Sequence, residues 1–293
     1  MAIGDGPAGT NQGEHDYAER GVTVGFFTDP TVCIGCKACE VACKEWNGVP
    51  AEEDDTWTGD SYDNTGALGA STWRHVKFLE QPERLGRQVA GPMGLAEAGE
   101  EAEDPFRWVF LSDVCKHCEH AGCLEACPTG SIVRTPTGAV YVQDDVCNGC
   151  GYCVVSCPFG VIDRRPEPLP GAGGAFKCTF CWDRQSSGRV PACAKACPTE
   201  SIRFGPLDEL REEAAGRVGE LHARGVEDAA VYDPRDTSVG GTHAISLLLG
   251  DPEPWGQPPR PEVPTVRLAA AWTSAIATAA AAIAATFAAF LLA

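Results

Sequence analysis

The chain has 293 residues, 16 of them cysteine, and sets 23 Lys and Arg against 41 Asp and Glu for a formal net charge of −18. The length suits one large or two modest domains. The acidic balance excludes nucleic acid as a partner, which wants a basic face; the acids gather in segments such as 52–55 and 97–104, which read as solvated surface.

Residues 1–26 form an N-terminal extension with no apolar run of signal-peptide length and no adjacent arginine pair, so no export signal is expected there. The cysteines begin next. They stand in four groups of four with none left over: Cys33, Cys36, Cys39 and Cys43; Cys115, Cys118, Cys123 and Cys127; Cys147, Cys150, Cys153 and Cys157; Cys178, Cys181, Cys193 and Cys197. The first and third groups read C-x2-C-x2-C-x3-C, the run that holds [4Fe-4S] clusters in bacterial ferredoxins. A cubane needs one thiolate per iron. A tight loop supplies three, and the fourth cysteine opens a short helix that points away, toward another cluster. Proline follows the fourth cysteine in three groups, as Pro128, Pro158 and Pro198, and turns the chain away after the ligand. Sixteen thiolates at four per cluster make four [4Fe-4S] clusters. Two other readings compete. A disulfide framework suits short secreted chains. Structural zinc uses C-x2-C pairs a dozen or more residues apart, which only the fourth group resembles.

Between the groups, residues 48–71 read as loop, 72–80 as a strand by alternation, 81–105 as an acidic surface loop and 106–111 as a second short strand. An internal repeat runs through the cluster region. Cys127-Pro-Thr-Gly-Ser-Ile132 matches Cys197-Pro-Thr-Glu-Ser-Ile202, and Cys157-Pro-Phe-Gly-Val-Ile162 is a looser copy. Each leads into an apolar or alternating stretch such as Ala139-Val-Tyr-Val142. This is a ferredoxin half-module of loop ligands, short helix and hairpin strand. Four copies predict an α+β fold of two 2[4Fe-4S] ferredoxin-like modules with insertions, over about residues 27–206. Residues 207–250 follow as a helical and strand segment, with Leu207, Leu210, Ala214, Val218 and Leu221 at helical spacing. Six prolines make 251–267 a stiff linker. Residues 268–293 carry no charge and suffice to span a bilayer, with Arg267 and Trp272 as interfacial anchors. Their small residues would let neighbouring membrane helices approach.

The words between the cysteines are specific. Cys-Ile-Gly-Cys-Lys-Ala-Cys-Glu-Val-Ala-Cys-Lys-Glu-Trp-Asn, residues 33–47, resembles the first cluster motif of formate dehydrogenase beta subunits. Lys177-Cys-Thr-Phe-Cys-Trp-Asp-Arg184 with Pro191-Ala-Cys-Ala-Lys-Ala-Cys-Pro198 resembles their fourth, and residues 116–128 and 148–158 fit the second and third. The cluster motifs are shared with beta subunits of hydrogenases and of nitrate, sulfoxide and polysulfide reductases. The tail, with Val231-Tyr-Asp-Pro234, Gly240-Gly-Thr-His243 and a final membrane helix, narrows the resemblance to formate dehydrogenases.

Spacing alone leaves the pairing of the groups open. The resemblance implies nesting: one module from 27–47 and 176–206, the other from 106–165. Cys33, Cys36 and Cys39 then share a cluster with Cys197, and Cys178, Cys181 and Cys193 share one with Cys43. Cys115, Cys118 and Cys123 take Cys157, while Cys147, Cys150 and Cys153 take Cys127. No group here lacks a cysteine, so none of the four centres is expected to be a three-iron cluster. The resemblance further implies a non-catalytic electron-transfer subunit. Its partners would be a molybdenum or tungsten bis-pterin catalytic subunit and a multi-span cytochrome b or quinone-reactive membrane subunit. The alternative is the same role in a hydrogenase, polysulfide or sulfoxide reductase complex.

The resemblance also implies a cluster domain outside the cytoplasm, exported folded on a partner that bears the signal. Arg260 and Arg267 precede the final helix and no Lys or Arg follows it, which by the positive-inside tendency points the other way. The expectation here is the outside. Backbone N–H groups near Gly35 and Gly149 are candidate donors to sulfur. His117, His120 and His243 read as packing or turn residues, and Trp182 as cluster shielding.

Overall fold

The computed structural model describes residues 15–51, 63–82, 106–165 and 173–292. Most of the acidic loop expected over 81–105 and part of that over 48–71 lie outside them. In chain order the elements are α1 (Tyr17–Arg20), β1 (Val24–Thr28), α2 (Ala38–Asn47), β2 (Arg74–Pro82), β3 (Phe106–Val114), α3 (Gly122–Glu125), β4 (Ile132–Arg134), β5 (Val140–Val142), α4 (Tyr152–Val155), β6 (Asp163–Arg164), β7 (Ala175–Phe176), α5 (Trp182–Gln185), α6 (Ala192–Lys195), β8 (Ile202–Pro206), α7 (Leu207–Ala223), β9 (Ala229–Tyr232), β10 (Ala244–Leu249) and α8 (Leu268–Leu292). This mixture of short strands and short helices is the α+β, ferredoxin-like architecture the half-module repeat requires.

The largest sheet has the order β8-β1-β10-β9. β1 runs antiparallel to β8, with Phe26 opposite Phe204, and parallel to β10, with Phe27 opposite Ile245. Alternation along β1 divides the core, because successive side chains leave opposite faces of a sheet. Val24 and Phe26 face a core that holds Cys39, Cys115, Cys178 and Cys193. Phe27 faces a second core with Leu210, Ala214 and Leu221 of α7. The sheet thus separates a cysteine-bearing side from a helix-covered side. Val24 and Phe26 are fully buried, since β1 is the strand that joins β8 to β10.

The first and fourth cysteine segments come together through β1 with β8 and α2 with α6, and the second and third through α3 with α4. Between them β2 and β3 form a nine-pair antiparallel hairpin, Arg74 opposite Val114 through Pro82 opposite Phe106. β2 lies two residues later than the 72–80 its alternation suggested, and β3 runs three residues past 111, where its pairing with β2 continues.

Residues 251–267 are not a free linker. A 3-10 turn at Glu253–Trp255 buries Trp255 completely. Its indole Nε1 donates to the Leu249 carbonyl at 3.1 Å, and Lys77 Nζ donates to its own carbonyl at 2.9 Å. Tyr232 and Val263 fasten the rest of the segment, through the Pro258 carbonyl at 2.6 Å and the Ser238 hydroxyl at 2.8 Å. Proline stiffness here serves docking, because a pre-ordered segment loses little entropy when it packs. Trp255→Ala is expected to cost about 3–5 kcal/mol, read as a lower urea midpoint for unfolding.

α8 is long and apolar enough to cross a membrane, and none of its membrane-length window is buried against the rest of the protein. It starts from a 3-10 turn at Pro264–Arg267 that packs on α3, where Thr265 bonds Glu125.

Candidate metal centres

Each cysteine group begins with a C-x2-C loop, and the residue before the second cysteine is left-handed in all four. These are Gly35, His117, Gly149 and Phe180, at φ 66°, 45°, 67° and 62°. The reversal turns the loop around a concave face. Glycine adopts it freely, but His117 and Phe180 store strain there. Their rings stack on each other, centroids 4.3 Å apart, and both are buried, so packing holds the strained pair. His117 Nδ1 also accepts the Val140 N–H at 3.0 Å. His243 is buried too, and its Nε2 lies 3.0 Å from Glu119 Oε2.

All sixteen cysteines are free thiols, which removes the disulfide reading. Twelve of them line cavities. One cavity is lined by Cys33, Cys36, Cys39 and Cys197. Another is lined by Cys115, Cys118, Cys123 and Cys157, and a third by Cys127, Cys147, Cys150 and Cys153. The remaining four, Cys43, Cys178, Cys181 and Cys193, are all buried. Burial pushes the Cys43 thiol well up, and Cys178, Cys193 and Cys181 push it further. Among the described residues no three His, Cys, Asp or Glu side chains close to the range that holds a single metal ion. Tetrahedral zinc would draw its thiolates to ~2.3 Å from one point. Thiolates spread around a hollow suit a multi-iron cubane.

The thiols' surroundings complete this fit. Burial pushes Cys39, Cys123 and Cys181 up to about 12 and Cys153 up to about 11. Four such groups do not ionise together without a compensating positive charge, which iron would supply on binding. Cys127 is different. Burial pushes its thiol up, but the Ser131 and Thr129 hydroxyls and the backbone N–H groups of Ile132 and Thr129 outweigh burial and bring it down to about 6.

The sequence repeat now has a cause. Thr129 and Thr199 Oγ1 lie 3.6 and 3.9 Å from Cys127 and Cys197 Sγ, and Ser131 Oγ lies 3.2 Å from Cys127 Sγ. The looser third copy has no hydroxyls, and Cys157 takes backbone N–H groups from Val161, Phe159 and Gly160 instead. The Gly35 N–H bonds Cys33, matching one of the donors read from the loops.

Sequence reasoning missed other donors. Ala175 N–H reaches Cys147 Sγ at 3.4 Å, and Asn47 Nδ2 lies 3.7 Å from Cys43 Sγ and 4.0 Å from Cys181 Sγ. Lys177, 2% exposed, sets its ammonium 3.5 Å from Cys115 Sγ and also bonds the Val140 carbonyl. A lysine beside a ligand cysteine was legible in the sequence. Its reach to a different group was not.

Residues 106–207 match a family model described as a 4Fe-4S dicluster domain, and residues 32–131 match another of the same description. Fold, cavities and these matches define an iron–sulfur protein of the dicluster class. The sequence is 39% identical over 255 residues to the formate dehydrogenase-O iron-sulfur subunit of Escherichia coli, covering 85% of this protein and 74% of that one. It is 40% identical over 228 residues to a formate dehydrogenase iron-sulfur subunit of Haemophilus influenzae, 78% of this protein and 65% of that one's length. The B subunit of the anaerobic dimethyl sulfoxide reductase of Escherichia coli is 33% identical over 189 residues, 64% of this protein and 76% of that one. This protein belongs to the family of formate dehydrogenase iron-sulfur subunits, the electron-transfer rather than the catalytic members of their complexes.

Proposed function

We propose that the protein carries four [4Fe-4S] clusters in a line and conducts electrons from a formate-oxidising molybdenum or tungsten bis-pterin subunit to a cytochrome b or quinone-reactive membrane subunit. The proposed ligand sets are Cys33, Cys36, Cys39 and Cys197; Cys43, Cys178, Cys181 and Cys193; Cys115, Cys118, Cys123 and Cys157; Cys127, Cys147, Cys150 and Cys153. A [4Fe-4S] cluster, when bound, supplies reversible one-electron chemistry.

The observation that carries this reading is the order of the cysteine sets. Cys193 lies close enough to Cys39 to push that thiol up, Cys115 does the same to Cys178, and Cys153 to Cys123. Those contacts string the sets in the order just given for the first, second, third and last. The two terminal sets each hold one exposed cysteine, Cys36 and Cys150, while the second set is wholly buried. Apolar side chains stand in solvent at both ends: Ile34 and Val41 beside the first set, Tyr152 and Val155 beside the last. Exposed apolar groups next to a redox site suit partner docking. The turn that starts α8 packs on α3, which carries Cys123 of the third set and leads to Cys127 of the last, and this supports placing that end of the line toward the membrane. The family likeness supports a cluster domain outside the cytoplasm, exported with its catalytic partner. Protease added to sealed spheroplasts is expected to cleave it.

Iron and acid-labile sulfide analysis is expected to find about sixteen of each per protein. Values near eight would leave only two clusters and refute the four-site reading. Low-temperature EPR of the anaerobically purified complex is expected to show several interacting reduced signals on adding formate. Full signals with dithionite but none with formate would move the protein to the alternative, a hydrogenase or a polysulfide or sulfoxide reductase, the last of which the 33% identity to a sulfoxide reductase subunit favours.

A further inference from the structure

The hairpin inserted between the first and second cysteine groups carries a buried cation. Arg74 opens β2 and is 1% exposed. Its Nη1 donates to the Ser112 carbonyl and hydroxyl oxygens, both at 3.2 Å, and its guanidinium lies over the Phe26 ring at 4.7 Å. Nε and Nη2 are buried with no hydrogen-bond partner among the described residues. A guanidinium stays protonated in proteins, and a buried charge without an opposite charge is strongly unfavourable. The groups that act on it most strongly after burial are all thiols: Cys193, Cys39, Cys178 and Cys43.

Ser112 extends this contact. Its Oγ also lies 3.2 Å from Cys39 Sγ. Arginine only donates, so Ser112 Oγ accepts from Arg74 and its own hydrogen is free for the Cys39 sulfur. Arg74 therefore addresses Cys39 through Ser112, and its charge also interacts with Cys43, Cys178 and Cys193.

We propose that Arg74 is a fixed positive charge shared by two neighbouring iron–sulfur sites, one containing Cys39 and one containing Cys43, Cys178 and Cys193, and that it favours the reduced state of both. This rests on the ligand sets proposed above. Adding an electron makes a thiolate-bound cluster more negative, and a cation held in a poorly screening interior stabilises that state more than the oxidised one. The hairpin insertion thus sets the driving force at one end of the line.

The test is a potentiometric EPR titration of the anaerobically purified complex bearing Arg74→Gln, Arg74→Lys or Ser112→Ala. Arg74→Gln is expected to lower the equilibrium constant for reduction at least tenfold, ~59 mV for one electron, at two centres and to leave the other two in place. Arg74→Lys keeps the charge and is expected to recover most of that loss. Ser112→Ala is expected to lower one centre only. Wild-type iron content with four unchanged potentials in Arg74→Gln overturns the proposal, as does an equal fall at all four. Should Arg74→Gln lose iron, Ser112→Ala decides: a fall confined to one centre supports the proposal and unchanged potentials overturn it. Failure of the four-site reading itself shows separately, as iron and sulfide well below about sixteen in the unaltered protein.

Discussion

Cys43→Ser is expected to remove the same EPR signal as Cys178→Ser and a different one from Cys33→Ser. Cys43 lies in the second half of α2, beyond the loop that presents Cys33, Cys36 and Cys39. It stands one helical turn beyond Cys39 on the same face of α2, and α2 packs on α6, which holds Cys193. Its buried thiol is pushed up by burial and then most strongly by Cys178, Cys193 and Cys181. Asn47 lies within sulfur hydrogen-bond range of both Cys43 and Cys181, which ties the two to one place. The first three cysteines instead share their cavity with Cys197. A serine at position 43 offers a poor ligand for iron, so iron should fall from about sixteen to about twelve per protein, or one centre should convert to a three-iron form. If Cys43→Ser and Cys33→Ser silence the same signal, the nested pairing is wrong.

Ending the sequence after Arg267 is expected to move the protein from the membrane fraction to the soluble fraction with its iron content intact. None of the membrane-length window in α8 is buried, so its removal takes no packing from the cysteine-bearing core. Val263 and Thr265, which fasten the preceding segment through Ser238 and Glu125, are kept. An apolar helix of this length inserts stably in a bilayer. The measurement is fractionation of cells expressing the full-length and shortened proteins, with iron assayed on each. A shortened protein that stays with the membrane through carbonate washing would mean that the cluster domain binds there by itself. Loss of iron on truncation would instead make α8 part of the fold.

The chemistry of this protein lies in short-range sequence. Ligand type and spacing are properties of a loop, so sixteen cysteines in four groups, two of them ferredoxin runs, already point to iron and sulfur. The amphipathic spacing of α7 and the uncharged final helix are equally local, and both are where the periodicity put them. The repeated Cys-Pro-Thr-x-Ser words were visible as words. Only the folded protein shows that their hydroxyls bond sulfur. What required the tertiary structure is everything set by distant contacts. β1 starts at Val24 because β8 and β10 flank it, and nothing near residue 24 encodes that. Residues 251–267 look like a linker until Trp255 meets Leu249 and Lys77. His117 and Phe180 tolerate left-handed backbone only because each stacks on the other, 63 positions away by number. Which thiols line each cavity, and that Arg74 of an inserted hairpin stands among them, follow from the same cause. Burial and charge are fixed by which segments meet, and long-range packing, not local spacing, decides that.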